Sequence, residues 1–214
     1  IVFWLYQPLI SLIIFLLISG LHFANSEYND DEKINKVSFF SHAGLVPIII
    51  PWMHTEEVID IFFLLAGDAA MLLIPLITYL FYGWVLVFFL YTVNFIRRKS
   101  FVQRYVQLII LLILIYLLPP LVSFTIYFCL IHGPRHMNKI LRKLSNKERH
   151  QAIKETLMYS MITFVLIFSA AYYVSDNEMI SEDILRITFI ALAALTVPHM
   201  ILVDYMKISF NKNH

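Results

Sequence analysis

Long apolar runs separated by short polar segments dominate this chain. An α-helix that spans a membrane needs about 20 apolar residues. Runs that approach or exceed this length occupy residues 1 to about 20, 69–96, 105–118, 120–131, 157–174 and 184–206. The pattern predicts an all-α fold, a polytopic transmembrane helical bundle of about six spanning helices.

Prolines interrupt this pattern at informative places. Pro47 and Pro51 divide the apolar residues 37–54, so we expect a bent or re-entrant segment that is too interrupted for a regular spanning helix. Residues 55–67 begin with two glutamates, which favour a helix N-terminus, and we expect this short helix at the membrane interface. Pro8 fits the first position of a helix, where its missing N–H costs nothing.

The double proline Pro119–Pro120 leaves two interpretations of residues 105–131. They form either one helix kinked at the prolines or two helices joined by a tight turn. Residues 97–104 and 135–149 are both basic, and basic flanks lie on the cytoplasmic side of a membrane. Two basic flanks on one side require an even number of crossings between them, which favours two helices.

Composition supports a membrane protein. Hydrophobic residues make up 60% of the 214-residue chain and charged residues 14%, whereas soluble domains are about 45–50% apolar and about 25% charged. The net charge of +1 shows no basic footprint for nucleic acid. We interpret residues 1–214 as a single membrane domain, and Cys129, the single cysteine, as a buried thiol on an apolar helix. The absence of an initiator Met predicts a piece of a longer protein rather than a signal peptide.

The eight histidines fall into three groups by environment. His150 and His214 lie in polar, basic surroundings, where we expect them to be solvated. His42 and His54 flank the proline-broken segment, and a structural or interfacial role is the favoured interpretation. The others, His22, His132, His136 and His199, lie within or at the end of apolar runs. Ionisable groups at membrane depth are costly and usually face the bundle interior with a partner.

His132 and His136 are four residues apart and project from one helix face. This spacing can present two imidazoles to one metal ion, although a single buried histidine is more often satisfied by a backbone carbonyl. Imidazole suits zinc, copper, iron and nickel, so the pair indicates an all-imidazole metal site. His22 and His132 follow Pro8 and Pro120 at similar separations, which places both about 20 Å from their helix starts.

Two further features of the apolar segments bear on a site. We interpret Arg135, between the paired histidines, as a snorkelling residue at the cytoplasmic edge. Most of the 33 aromatic residues (18 Phe, 12 Tyr, 3 Trp) are expected to face lipid or the interface, and some could line a hydrophobic cavity.

Four blocks of the sequence together resemble a known family. In chain order they are SGLHFANSE (19–27), HAGLVPIIIPWMHTEEV (42–58), PPLVSFTIYFCLIHGPRHM (119–137) and ALTVPHMILVDYM (194–206). They resemble, in the same order, the Brp/Blh family of microbial membrane β-carotene 15,15′-dioxygenases, which make retinal for rhodopsins.

The resemblance implies a non-haem Fe(II) centre that cleaves the central double bond of a carotenoid with O₂. The family's proposed ligands fall on His22, His132 and His136, and His199 matches a family histidine that could ligate, support the ligands or shape the cavity. A fourth proposed ligand belongs to an earlier helix, so we expect this chain to lack an N-terminal helix of the full-length protein. The implied setting is a prokaryotic cell membrane, with a functional link to a retinal-binding rhodopsin.

Two other functions remain open from the sequence. A membrane di-iron hydroxylase or desaturase also uses H-x-x-x-H, but it needs further histidine clusters that this chain does not have. A non-enzymatic carotenoid- or retinal-binding protein, or a transporter, could use intramembrane histidines as polar anchors.

Overall fold

A computed structural model describes residues 2–28, 34–98, 102–142, 144–174, 182, 184–196 and 198–199. These residues form helices without any strand. The α-helices are α1 Val2–Tyr6, α2 Pro8–Ser26, α3 Lys36–Ala43, α4 Ile50–Met53, α5 Thr55–Ala66, α6 Leu73–Arg98, α7 Val102–Leu117, α8 Pro120–Ile126, α9 Gly133–Leu141, α10 Asn146–Val174 and α11 Ile184–Thr196. Wider π-helical turns occupy Leu45–Ile49 and Tyr127–His132, and a 3₁₀ turn occupies Gly67–Leu72.

Three helical runs among these residues are long and apolar enough to cross a membrane: Pro8–Ser26, Lys36–Met53 and Thr55–Ile96. Val102–Leu117 and Ile184–Thr196 are shorter apolar helices. The predicted helical membrane fold is therefore confirmed, and the count of about six crossings stays a prediction. Residues 184–206 were predicted to form the last, returning span, and residues 197 and 200–206 of this segment lie outside the described residues.

Prolines set two of the helix boundaries as predicted. Pro8 occupies the first turn of α2, and Gln7 separates α2 from the short α1. Helix α7 ends at Leu117 and α8 begins at Pro120, with Pro119 in an extended conformation between them. A proline cannot donate its backbone nitrogen to the preceding turn, so the two-helix interpretation is confirmed.

The proline-broken segment is irregular, as predicted, but its helix is continuous. It is distorted, because a π-helical turn replaces the regular α-helix where Pro47 removes a backbone donor. The backbone N–H groups of Ile48 and Ile49 both donate to Gly44 O at 3.0 Å, so helical bonding continues through the distortion. The prediction of an irregular helix is confirmed by this turn, and Lys36–Met53 is nevertheless one helical run that is long and apolar enough to cross a membrane.

Side chains cap two of the helices. Asn35 precedes α3, and its side-chain oxygen accepts from the backbone N–H groups of Val37 and Ser38. Ser145 precedes α10 and donates to the Glu148 carboxylate from its hydroxyl at 2.6 Å and its N–H at 2.9 Å. The Ser145 hydroxyl bond, followed by the backbone bond, holds the pKa of Glu148 below its usual value. Both caps satisfy N–H groups that a helix start leaves unpaired.

Among the residues that the structure describes, two apolar clusters form the interior. One joins α2, the 36–53 run, α6 and α7 around Phe23, Ile49, Trp84 and Leu108. The other joins α1, α2 and α5 around Trp4, Leu12 and Phe62. Large apolar side chains also cover the outside, as on α6, where Tyr79, Leu86 and Phe89 are all more than half exposed. Such an apolar exterior suits a lipid environment.

Cys129 corrects one expectation. It lies on the apolar π-turn Tyr127–His132, as the sequence suggested, but its side chain is exposed rather than buried. Tyr127 and His132 take the buried positions of this turn. The wider turn changes which residues face inward, and a regular helical period does not anticipate that change.

Candidate metal and substrate site

Four imidazoles meet where α2 faces the run from α8 to α9. The ring of His22 on α2 lies 5.1 Å from His132 and 5.5 Å from His199, measured between ring centroids. The ring of His136 on α9 lies 5.0 Å from His199 and 6.1 Å from His132. All four histidines singled out from the apolar runs therefore come together, from segments far apart in sequence.

The π-turn shapes the paired histidines. His132 ends the turn Tyr127–His132, and His136 follows one turn later on α9. Their rings are nearly parallel, with an interplanar angle of 6°, so the i, i+4 pair shares one face as predicted. Pro134 has no N–H to donate to the preceding turn, which favours a widened helix at this point. Such π-turns are frequent at functional sites.

Hydrogen bonding fixes the tautomer of His132. Its Nδ1 lies 3.1 Å from Ser26 Oγ, while the Ser26 hydroxyl donates to Phe23 O at 2.7 Å. A serine hydroxyl has one hydrogen, so Ser26 Oγ must accept from the Nδ1–H of His132. The lone pair of the imidazole is then on Nε2, the atom left to bind a metal ion.

A cavity of about 420 Å³ lies against the histidines. All four imidazoles line it, together with Ser19, Gly133 and Thr196. Its apolar wall consists of Phe15, Phe23, Phe124, Phe128, Leu192 and Leu195. An apolar cavity with a few convergent polar groups is typical of a small-molecule site, and the aromatic lining that sequence alone could not identify is thereby located.

The spacing of the rings fits metal ligation in part. Two imidazoles bound to one ion through bonds of about 2.0–2.1 Å have ring centroids roughly 5 Å apart, close to three of the four separations here. As the side chains stand, however, no group of three or more His, Cys, Asp or Glu among the described residues is arranged to hold a metal ion. The donor set of four imidazoles nevertheless suits iron chemically.

The remaining histidines have structural roles or lie elsewhere. His54 pairs through Nε2 with Ile115 O at 2.6 Å, and His42 pairs through Nδ1 with Ser38 O at 2.8 Å. Their structural interpretation is confirmed. His150 is exposed, as expected for a solvated group, and His214 lies outside the described residues.

Arg135 does not snorkel to the membrane edge. Its guanidinium forms an ion pair with Glu27, whose side chain is only 1% exposed, and donates to Gln107 Oε1 at 2.7 Å. The prediction was wrong because a buried carboxylate on another helix attracts the guanidinium inward.

Sequence reasoning missed Ser26, Glu27 and Gln107. Ser26 had a signal, because it is four residues after His22 and therefore on the same helix face. Gln107 is the third residue of the apolar run 105–118. A polar side chain in such a run is expected to face the bundle interior, but the sequence does not identify its partner.

Comparison with known proteins gives a consistent result. A family model described as "Beta-carotene 15,15'-dioxygenase" matches residues 1–207. A relative of that name from uncultured marine bacterium 66A03 is 35% identical over 209 residues, covering 95% of this chain and 74% of the relative. No solved structure matches.

Proposed function

Because this chain belongs to the β-carotene 15,15′-dioxygenase family and is a carotenoid cleavage dioxygenase, we propose that it cleaves the central double bond of β-carotene with O₂. The products are two molecules of retinal, and a histidine-bound iron assists the reaction. The observation that carries this proposal is the meeting of four imidazoles on one wall of an apolar cavity.

Iron would be held by His22, His132 and His136. Their rings come from two separate helical segments, and Nε2 of His132 bears a lone pair that the bond to Ser26 leaves free. His199 lies beside both helices and would be a further ligand or a neighbour that orients one. Fe(II) bound by neutral imidazoles supplies open positions at which O₂ can be activated.

The cavity suits an apolar polyene. The ring of Phe23 lies 4.8 Å from that of His132 in a T-shaped arrangement, and the ring of Phe128 stacks on His132 at 5.8 Å, measured between centroids. These rings can hold a conjugated chain against the imidazoles. Leu195, which is 67% exposed, stands where the cavity borders the outside of the bundle. A carotenoid stays in the bilayer, so we propose lateral access from the lipid.

The reaction balances without a reductant. The central carbon–carbon double bond breaks, and each of its two carbons receives one oxygen atom of O₂ as an aldehyde. No electron is left over, so no nicotinamide or flavin is required. The product is apolar and remains in the membrane, where a retinal-binding rhodopsin would be its natural acceptor, and we place the protein in a prokaryotic cell membrane.

Expression of the full-length gene in β-carotene-producing cells tests the proposal. We expect carotene colour to fade as retinal accumulates, and purified protein to contain iron. His132→Ala and His136→Ala should abolish both iron binding and retinal formation, whereas the exposed His150→Ala should preserve them. Retinal formation at the normal rate in both site variants would refute the ligand assignment, and carotenoid bound but uncleaved would refute the reaction.

A further inference from the structure

An ion pair with a buried carboxylate joins residues that are close in sequence to the clustered histidines. Glu27 follows α2 five residues after His22, and Arg135 lies on α9 between His132 and His136. Their side chains form an ion pair in which the Glu27 carboxylate is almost fully buried, and the Arg135 side chain is 28% exposed. The pair therefore joins the two helical segments that supply the three proposed ligands.

Gln107 on α7 completes this contact. Its amide oxygen accepts from Arg135 at 2.7 Å, and its amide nitrogen lies 3.3 Å from both carboxylate oxygens of Glu27. The three side chains thus close a ring of hydrogen bonds across three helices. Neither the guanidinium nor the carboxylate can shift along its helix without breaking two of these contacts.

Other cations hold the same end of α2. Lys139 donates to the carbonyls of Ser26 and Tyr28 at 2.5 and 2.7 Å, and Arg104 donates to the Glu27 carbonyl at 3.2 Å. Helix C-termini leave such carbonyls unpaired and attract positive charge. Because Lys139 is also on α9, this helix touches the end of α2 at two levels.

We propose that Glu27, Arg135 and Gln107 form a positioning network that fixes the register of α2 against α9, and so holds His22 opposite His132 and His136. None of the three side chains is among the residues that line the cavity, so we treat them as positioning residues. The proposal rests on the function proposed above only for its effect on iron and turnover, since the helix register can be measured independently.

Stability alone does not account for these charges. Burying an ion pair costs much of what its attraction returns, and well-packed apolar side chains can often replace such a pair without loss. A guanidinium whose two nitrogens contact two different side chains, as Arg135 contacts Glu27 and Gln107, does fix geometry. Misplacement of a reacting group by about 1 Å can cost about a hundredfold in rate, so a network that fixes register has a clear use here.

The register can be measured with two spin labels in the full-length protein. Native Cys129 is exposed on the π-turn before α9, and Leu17 is exposed on α2. With Leu17→Cys added and any cysteine outside this chain replaced by serine, double electron–electron resonance reports the distance between the two segments. We expect a narrow distribution in the parent and a broadened or displaced one in Glu27→Gln and in Arg135→Gln.

The matched control is Arg149→Gln, which removes an exposed arginine and should leave the distribution unchanged. The double variant Glu27→Gln/Arg135→Gln can pair two neutral amides and should recover part of the narrow distribution. Arg135→Lys keeps the charge but loses the planar fork with which the guanidinium reaches Glu27 and Gln107 together. Its distance distribution should therefore fall between those of the parent and Arg135→Gln, and this variant replaces the glutamine variants if they do not fold.

Iron affinity and kinetics supply the second readout. In the single variants we expect iron affinity to fall about 10–100-fold, as for other residues that orient ligands. The kcat should fall about a hundredfold with little change in KM, because the cavity lining is untouched. A network that only stabilised the fold would lower the unfolding temperature and leave iron per folded molecule and kcat unchanged.

The outcomes separate the two proposals. An unchanged distance distribution in both single variants overturns the network. If the parent binds iron, single variants that show a broadened distribution but keep full iron affinity overturn it as well. A parent that binds no iron and makes no retinal overturns the proposed function instead. In that case the distances between the two spin labels alone test whether the network fixes the register of α2 against α9.

Discussion

The Oγ of Ser26 lies 3.1 Å from Nδ1 of His132, and its own hydrogen is donated to Phe23 O. One serine on α2 therefore selects the tautomer of a histidine on a segment more than a hundred residues away in sequence. His22 lies on the same face of α2, so this helix supplies both a candidate ligand and the group that orients another.

We expect Ser26→Ala to lower iron affinity about 10–100-fold, the usual loss when a bond that orients a histidine ligand is removed. Competition with a chelator would measure it. Ser11→Ala is a suitable control, because it removes a hydroxyl bond to the Gln7 carbonyl near the other end of α2. Equal iron affinity in the two variants would show that Ser26 does not orient the ligand.

The sequence was sufficient for features that depend on local chemistry. Pro8 and the Pro119–Pro120 pair predicted helix starts, because a missing N–H acts within one turn. The four intramembrane histidines were recognisable because an imidazole in an apolar run needs a partner. Similar separations of His22 and His132 from their helix starts predicted a similar depth for the two side chains, and their rings lie 5.1 Å apart.

Features that depend on distant neighbours could not be predicted. The inward turn of Arg135 requires the Glu27 carboxylate, which precedes it by more than a hundred residues. The exposure of Cys129 requires a π-turn whose widened period no local pattern announces. The cavity wall also escaped prediction, since Leu192 and Phe124 look like ordinary lipid-facing residues until their helices pack.

Substitution of His199 tests how many imidazoles bind the metal ion. Its ring lies 5.0 Å from His136 and 5.5 Å from His22, and we expect His199→Ala to reduce iron affinity about 10–100-fold. Metal analysis after dialysis would show the loss, with the exposed His150→Ala as the control. Full iron affinity in His199→Ala would restrict this histidine to the cavity wall.

Gly20 permits close packing of α2 against the end of α3. A β-carbon at this position would lie 2.5 Å from the Ala43 carbonyl oxygen and 3.0 Å from Pro47. Since backbone atoms cannot easily give way, we expect Gly20→Ala to lower the free energy of unfolding by about 1–3 kcal/mol. A denaturation series in detergent would measure it.

Gly83, within α6, is the matched control. An added β-carbon meets nothing within 4 Å there, so Gly83→Ala should leave stability unchanged or raise it by about 0.5–1 kcal/mol. If both alanine variants unfold alike, the close approach of α2 and α3 at Gly20 is not needed for stability.

Substitutions of Tyr127 can measure separately how its ring and its hydroxyl contribute to stability. Its ring packs edge-on against Phe23 at 5.2 Å, while its buried hydroxyl has no hydrogen-bond partner among the described residues. Tyr127→Phe should therefore be neutral or stabilising by about 1 kcal/mol, whereas Tyr127→Ala should lose about 3–5 kcal/mol. Thermal unfolding of the two variants would compare them, and a clear loss of stability in Tyr127→Phe would show that the hydroxyl has a hydrogen-bond partner after all.

Ser19 lies one turn before Phe23, is buried, and lines the cavity beside the imidazoles. A larger side chain here occupies space that a polyene would need. We expect Ser19→Phe to retain iron but to reduce retinal formation about tenfold or more, because the substrate can no longer reach its reacting position. Ser19→Ala, which leaves the cavity open, should keep both. Retinal assays beside metal analysis would distinguish this block from a loss of iron, and normal cleavage by Ser19→Phe would place the substrate elsewhere.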